Sequence, residues 1–214
     1  MPNNNMLLLI SKYPELAKVK TRLAKHTSDD FAYSVFNKLF THTVTQFSDN
    51  KSFLSKMVLA QKEKIKVFNK QFVMPSDVQV PGDLGQKLNA AIKKEIENGL
   101  EKIIIIGTDC PFLNINDIRT AFSILENKDI VIGPTQDGGY YLLGVNASSF
   151  NEAIFENIKW SSSSVYEETI NNLNLNNLSY TPLRELYDID TKDDLERFKK
   201  EEKGAQLCQQ LELE

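Results

Sequence analysis

The chain has 214 residues, 41% of them hydrophobic, which is enough for one sizeable α/β core or two small ones. A formal net charge of −4 argues against a nucleic-acid binder, and no apolar stretch reaches the roughly 20 residues of a membrane span. Cys110 and Cys208 are too few for a disulfide framework or a metal-ligand cluster, so a cytoplasmic protein with reduced thiols is expected.

The opening "MPNNNMLLLI" has no basic n-region, and its apolar part is too short for a signal peptide. Within it, "MLLLI" (6–10) does not alternate and reads as a strand buried on both faces. The loop "SKYPELAKVKTRL" (11–23) lacks glycine, so it is neither a dinucleotide fingerprint nor a Walker A loop. It carries Lys12, Lys18, Lys20 and Arg22. If extended, it puts Lys18, Lys20 and Arg22 on one face, a pattern suited to a polyphosphate or simply a solvated basic loop. Residues 28–47 repeat apolar positions at helical spacing behind Ser28 as N-cap; His42 on this helix reads as surface or packing. "MVLA" (57–60) is a short strand, and "KIKVF" (64–68) reads as an extended piece. Leu84, Leu88, Ala91, Ile92 and Ile96 predict a helix ending before Gly99.

"IIIIGTDCPF" (103–112) has four isoleucines with no alternation, the signature of a central strand covered on both sides. Gly107 and Pro111 end it, so Asp109 falls just past the carboxyl end of an inner strand, where α/β sheets bind ligands. Asp109 there either meets a ligand, shapes the turn or caps the helix near Asn114. A helix over 114–126, a strand at 129–133 and a strand at 140–145 follow, with Asp137-Gly138 as a hairpin signal between the strands. Gly138 and Gly139 let backbone approach a ligand closely. A helix is predicted over 162–173, and another after Thr191, whose pairing with Asp194 makes a capping box. In "LYDIDTKDDL" (186–195), Asp188 and Asp190 share a face and repel unless a cation lies between them. Their oxygens suit Mg²⁺ or Mn²⁺. Strands alternating with helices imply a mainly parallel sheet in a single domain over 1–204, with a C-terminal tail at 205–214 whose closing "QQLELE" (209–214) is expected to fray.

Taken in order, "SKYPELAKVKTRL", "GDLGQKL", "IIGTDCPFL", "IGPTQDGGYYLLG", "WSSSSV" and "DIDTKDDL" resemble the DUF2064 family, over roughly residues 6–200. That family belongs to the GT-A, or nucleotide-diphospho-sugar transferase, superfamily. The resemblance implies a three-layer α/β/α sandwich whose central sheet is mostly parallel with one reversed strand. It implies a metal at Asp109, Asp188 and Asp190, and phosphate contacts from Lys20 and Arg22. It adds Ser11, Lys12, Gly82, Asp83, Gly85, Thr108, Gly138 and Gly139 as candidate nucleotide contacts. Asp83 is equally a helix N-cap. The first loop departs from the related nucleotidyltransferases in lacking their glycines.

Three functions follow from this resemblance. The first is a metal-dependent nucleotidyltransferase acting on a nucleoside triphosphate and a small phosphorylated metabolite or sugar phosphate. The second is a glycosyltransferase using a nucleotide-sugar donor and a small-molecule acceptor, with Asp137 or another of the chain's acids as base. The third is a nucleotide-binding protein without turnover. No Ser–His–Asp or Cys–His arrangement is legible, which suits chemistry done by positioning and charge.

Overall fold

A computed structural model describes residues 4–213. The expected start of the domain at residue 1 and the last tail residue, 214, lie outside them. The strands are β1 (Asn5–Ser11), β2 (Leu54–Leu59), β3 (Ser76–Val78), β4 (Lys102–Ile106), β5 (Ile130–Pro134), β6 (Tyr140–Asn146) and β7 (Tyr180–Pro182). They form one sheet in the order β3-β2-β1-β4-β6-β5-β7. Every neighbouring pair is parallel except those of β6, which runs against both β4 and β5. The mostly parallel sheet with one reversed strand is therefore present.

The isoleucine run explains the layers. Ile104 and Ile106 point into one apolar layer, Ile103 and Ile105 into the other. All four side chains are buried, each contributing about 1.5–3 kcal/mol relative to exposure. The first layer is roofed by α2 (Asp29–Ser48), α3 (Ile65–Gln71) and α5 (Ile115–Ile124). The second is roofed by α4 (Leu84–Glu97) and α6 (Val165–Leu175). A third cluster joins α1 (Thr21–Ala24) and α2 to α7 (Lys192–Lys200) and α8 (Glu202–Leu211).

Helix ends follow their caps. Ser28 accepts from the Phe31 amide, and Asp83, Asn114 and Thr191 each complete a capping box. Asn114, not Asp109, caps α5.

Three expectations change. "KIKVF" is helical: a 3₁₀ turn at Lys62–Lys64 runs into α3, because Phe68 must reach the aromatic cluster of Phe40 and Phe72. The Lys18–Arg22 stretch is not extended. Lys20 takes a left-handed conformation (φ 47°, ψ 42°) and α1 begins at Thr21. Residues 202–211 form α8, whose Cys208 is buried against the α2–α7 cluster, so the helix runs to Leu211, into the "QQLELE" (209–214) stretch expected to fray. No helix among the described residues is long and apolar enough to cross a membrane.

Candidate active site

Three chain segments meet at the carboxyl edge of the sheet. The first follows β1 and brings Lys20 and Arg22. The second leaves β4 at Gly107 and presents Asp109. The third, 186–190, crosses the edge beside them. The Leu186 amide donates to Pro134 O at 3.1 Å, and the Ile189 amide donates to Asp109 O at 3.1 Å. Tyr187 and Ile189 turn into the third cluster, so the alternating Asp188 and Asp190 face the opposite side.

The geometry centres on one ammonium. Lys20 Nζ donates to Asp109 Oδ2 at 2.8 Å and to Asp190 Oδ1 at 2.5 Å, and its side chain is 3% exposed. Its left-handed backbone turns the side chain inward while Lys18 stays outside, paired with Glu15 at 3.4 Å. Burial disfavours the charged lysine, but the two carboxylates outweigh it and hold Lys20 protonated, above its ordinary range. Arg22 Nη1 lies 3.8 Å from Asp190 Oδ2, with 67% of its side chain exposed. Burial first, and then the charge of Asp109, push the Asp188 carboxyl well above the usual carboxylate range. Burial also opposes ionisation of Asp190, and Lys20 reverses that, leaving it below its usual value.

Besides a cavity of about 190 Å³ lined by Arg22, Asp137, Asp188, Asp190 and Asp194, two adjoining cavities open at this cluster. One of about 180 Å³ lies between the start of α4 and the tips of β4 and β6, touching Leu84, Gly107, Asp109 and Asp188. The other, about 430 Å³, touches Arg22, Asp137, Asp188, Asp190 and Trp160. Leu84, Tyr140 and Asp188 border both.

Other sequence-predicted residues are placed differently. Ser11 and Thr108 hydrogen-bond each other at 2.7 Å across the β1 and β4 tips, with Thr108 buried. Lys12 is exposed. Asp83 is committed to capping α4, and a Cβ on Gly82 would overlap the Gln86 side chain that completes the cap. Gly85 is a packing glycine: a Cβ there would sit 2.7 Å from the Trp160 ring. Asp137 Oδ1 accepts from Thr135 Oγ1 at 2.6 Å and from the Gly139 amide at 3.2 Å, so it braces its own hairpin while lining the larger cavity. Gly138 (φ +87°) is where the Ser163 carbonyl crosses; a Cβ would overlap it. Sequence reasoning missed Leu84, Tyr140 and the Trp160–Ser163 wall as site residues. Their one signal was a lone tryptophan before four serines.

The oxygen-only donors Asp109, Asp188 and Asp190 have the chemistry of a hard divalent site. Their excess negative charge, relieved by Lys20 and felt by Asp188, fits an added cation. Among the described residues no group of three or more His, Cys, Asp or Glu is gathered closely enough to hold a metal as arranged. The ammonium is the cation the carboxylates share.

A family model described as an uncharacterized protein conserved in bacteria, DUF2064, matches residues 50–162. The chain belongs to the DUF2064 family. A 2-phospho-L-lactate guanylyltransferase from Methanocaldococcus vulcanius is 26% identical to this DUF2064 protein over 195 residues, 89% of this chain and 82% of the relative. A protein from Desulfovibrio desulfuricans, described as a nucleotide-diphospho-sugar transferase, superposes with a TM-score of 0.85 at 26% identity. That match covers 99% of this chain and 96% of the other. A Mycobacterium tuberculosis protein solved as a manganese complex shares the fold at a TM-score of 0.51 and 16% identity, over 90% and 96% of the two chains. The DUF2064 chain thus has the nucleotide-diphospho-sugar transferase fold. The matched segment 50–162 includes Asp109 and Asp137 but neither Lys20 nor the Asp188–Asp190 pair.

Proposed function

We propose that this transferase moves a nucleotidyl group from a nucleoside triphosphate to a small phosphorylated acceptor, with Mg²⁺ or Mn²⁺ held by Asp109, Asp188 and Asp190. The convergence of these carboxylates with Lys20 and Arg22 between two cavities carries the reading. The guanylyltransferase relative supports it. A cytoplasmic setting suits the triphosphate substrate and the two free cysteines.

A phosphate oxygen of the acceptor attacks the α-phosphorus in line. The bond to the bridging oxygen of the β-phosphate breaks, and pyrophosphate leaves with that electron pair. A bound divalent cation neutralises phosphate charge and orients the triphosphate. Lys20 supplies a fixed positive charge in a water-poor corner, where charge stabilisation is strongest. Arg22, exposed at the mouth, meets the triphosphate or the acceptor phosphate with a forked pair of donors. Nucleophilic attack by a side chain is not required, since the acceptor brings the nucleophile. The smaller cavity, walled by Leu84 and the β4 tip, takes the nucleotide, leaving the larger one to the acceptor.

The Desulfovibrio relative favours a second reading, glycosyl transfer from a nucleotide-sugar with Asp137 as base. Incubation with each nucleoside triphosphate, Mg²⁺ and a pool of phosphorylated metabolites, and separately with nucleotide-sugars, decides between them. Pyrophosphate release that needs Asp109 is the expected result. Nucleoside diphosphate release without any pyrophosphate would establish the glycosyltransferase instead.

A further inference from the structure

The loop between β1 and α1 contains no glycine, and a side chain from elsewhere gives it a partner. Gln61 stands two residues past the end of β2. Its amide accepts from the Tyr13 N–H at 2.8 Å and donates to Tyr13 O at 3.2 Å. Those are the two bonds by which an antiparallel neighbour would hold one residue. They carry the β1–β2 pairing onward from Ser11, whose carbonyl accepts from the Ala60 amide at 3.0 Å. The same Gln61 nitrogen donates to Glu15 Oε1 at 3.0 Å, and Lys64 pairs with Glu15 at 2.9 Å. The Tyr13 hydroxyl donates to Gln71 at 2.9 Å, and its ring meets Phe40 edge-on with centroids 5.9 Å apart.

Residues 16–19 are all that separate this anchored stretch from Lys20. Val19 among them is buried in the first layer, and Ala17 and Lys20 both take left-handed backbone, with φ 59° and φ 47°. Residues that carry a side chain keep that conformation only where their surroundings fix it. We propose that Gln61 is the positioning residue of the basic loop: by pinning Tyr13 and Glu15 it sets where Lys20 and Arg22 meet the triphosphate. The inference rests on the nucleotidyl-transfer reading. Gln61 lines none of the three cavities at the carboxyl edge, so it acts through the loop and not on a ligand. The coupling is steep. A charge-assisted bond needs donor and acceptor within about 3 Å of each other, and a slip of about 1 Å in a positioning segment costs up to roughly a hundredfold in rate.

The test uses the full chain with Mg²⁺ and a non-hydrolysable α,β-methylene nucleoside triphosphate, its base chosen as the one that most raises the melting temperature. Gln61→Met keeps the side chain's length and removes all three hydrogen bonds. By calorimetry it should raise the Kd about tenfold. In the free protein, hydrogen exchange should quicken over residues 16–22 while β1 and β4 stay protected. A double-mutant cycle separates positioning from general support of the fold. In an Arg22→Ala background the same substitution should raise the Kd no more than about threefold, because one of the contacts it misplaces is already gone. Gln61→Glu sets a carboxylate against Glu15 and should bind no better than Gln61→Met. Adding Glu15→Gln restores a donor between positions 15 and 61 and should recover about threefold of the loss. An unchanged Kd in Gln61→Met, a fully additive cycle, unaltered exchange over 16–22, or no recovery in the paired variant would overturn the role. A parent chain that binds no nucleotide would fail the nucleotidyl reading and the role with it, whereas a parent that binds beside an unaffected Gln61→Met fails the role alone.

Discussion

Lys20 and Asp109, 89 residues apart in sequence, share a hydrogen bond of 2.8 Å that closes over the tip of the central strand. The same ammonium holds Asp190 at 2.5 Å, so one lysine is shared by two of the three carboxylates assigned to a divalent cation. Lysine and metal therefore compete for the same oxygens when no nucleotide is bound. Lys20→Met should bind Mn²⁺ without nucleotide more tightly than the parent chain, measured by titration of the free-ion EPR signal. The same variant should lose about 1–3 kcal/mol of stability in metal-free buffer, because the two carboxylates it abandons are partly exposed and water recovers part of the loss. Equal Mn²⁺ affinity in the two proteins would show that Lys20 does not guard the site.

Asp109→Asn should still fold, since the backbone bond from Ile189 to its carbonyl survives, but at a cost of about 1–3 kcal/mol because the buried Lys20 ammonium loses one of its two carboxylates. Its thermal shift by nucleotide plus Mg²⁺ should vanish, whereas a saturating ligand at a hundredfold excess over Kd stabilises the parent by about 2.7 kcal/mol. A full shift in the variant would reduce Asp109 to a turn residue.

Asp188 carries the pH dependence. Its folded-state pKa is raised, chiefly by burial and then by Asp109, so ionisation costs the folded chain more than the unfolded one. Metal-free stability should therefore be intact below the ordinary carboxylate range and fall as pH rises through the raised value. Asp188→Asn removes this fall. Urea unfolding should find the two proteins similar near pH 4 and the variant ahead by about 1 kcal/mol or more at pH 8, one pKa unit being about 1.4 kcal/mol. A variant less stable than the parent at pH 8 would contradict this account.

Arg22 is expected to act on ligand alone. Its side chain is mostly exposed and meets Asp190 only at 3.8 Å, so Arg22→Ala should change stability by less than about 0.5 kcal/mol. Nucleotide affinity, followed by calorimetry, should weaken by about 1.5–3 kcal/mol, the value of a charge-assisted bond. Unchanged affinity would return the residue to a solvated loop.

Elements built on dense local pattern were legible in the sequence. The isoleucine run announced a two-faced central strand, and Ser28 and Thr191 announced helix starts that the structure contains. The acids at 109, 188 and 190 were nominated one by one from strand ends, and the chain brings Asp109 and Asp190 onto one ammonium. What sequence could not show was how the basic loop turns. Alternation placed Lys18, Lys20 and Arg22 together, but a left-handed residue at Lys20 is a tertiary decision, stabilised by the carboxylates it reaches. Gly85 was a nucleotide contact implied by the family resemblance, and Gly138 was read as room for a ligand. They are room for Trp160 and the Ser163 carbonyl, partners 75 and 25 residues further along the chain.

Gly144 gives the isoleucine strand something four identical side chains lack. A β4 slipped by two residues would still bury isoleucine at two of its four isoleucine positions and would carry Asp109 about 7 Å along the strand, since a strand rises about 3.4 Å per residue. Opposite Ile104, however, β6 offers Gly144, and a Cβ there would lie 3.1 Å from Ile104 Cγ1 and 2.5 Å from Val131 Cγ1. The missing methyl is a notch cut for one isoleucine and its neighbour. A bulkier residue at 144 would push on the strand that carries the carboxylate, so a position far from any ligand sets where Asp109 stands.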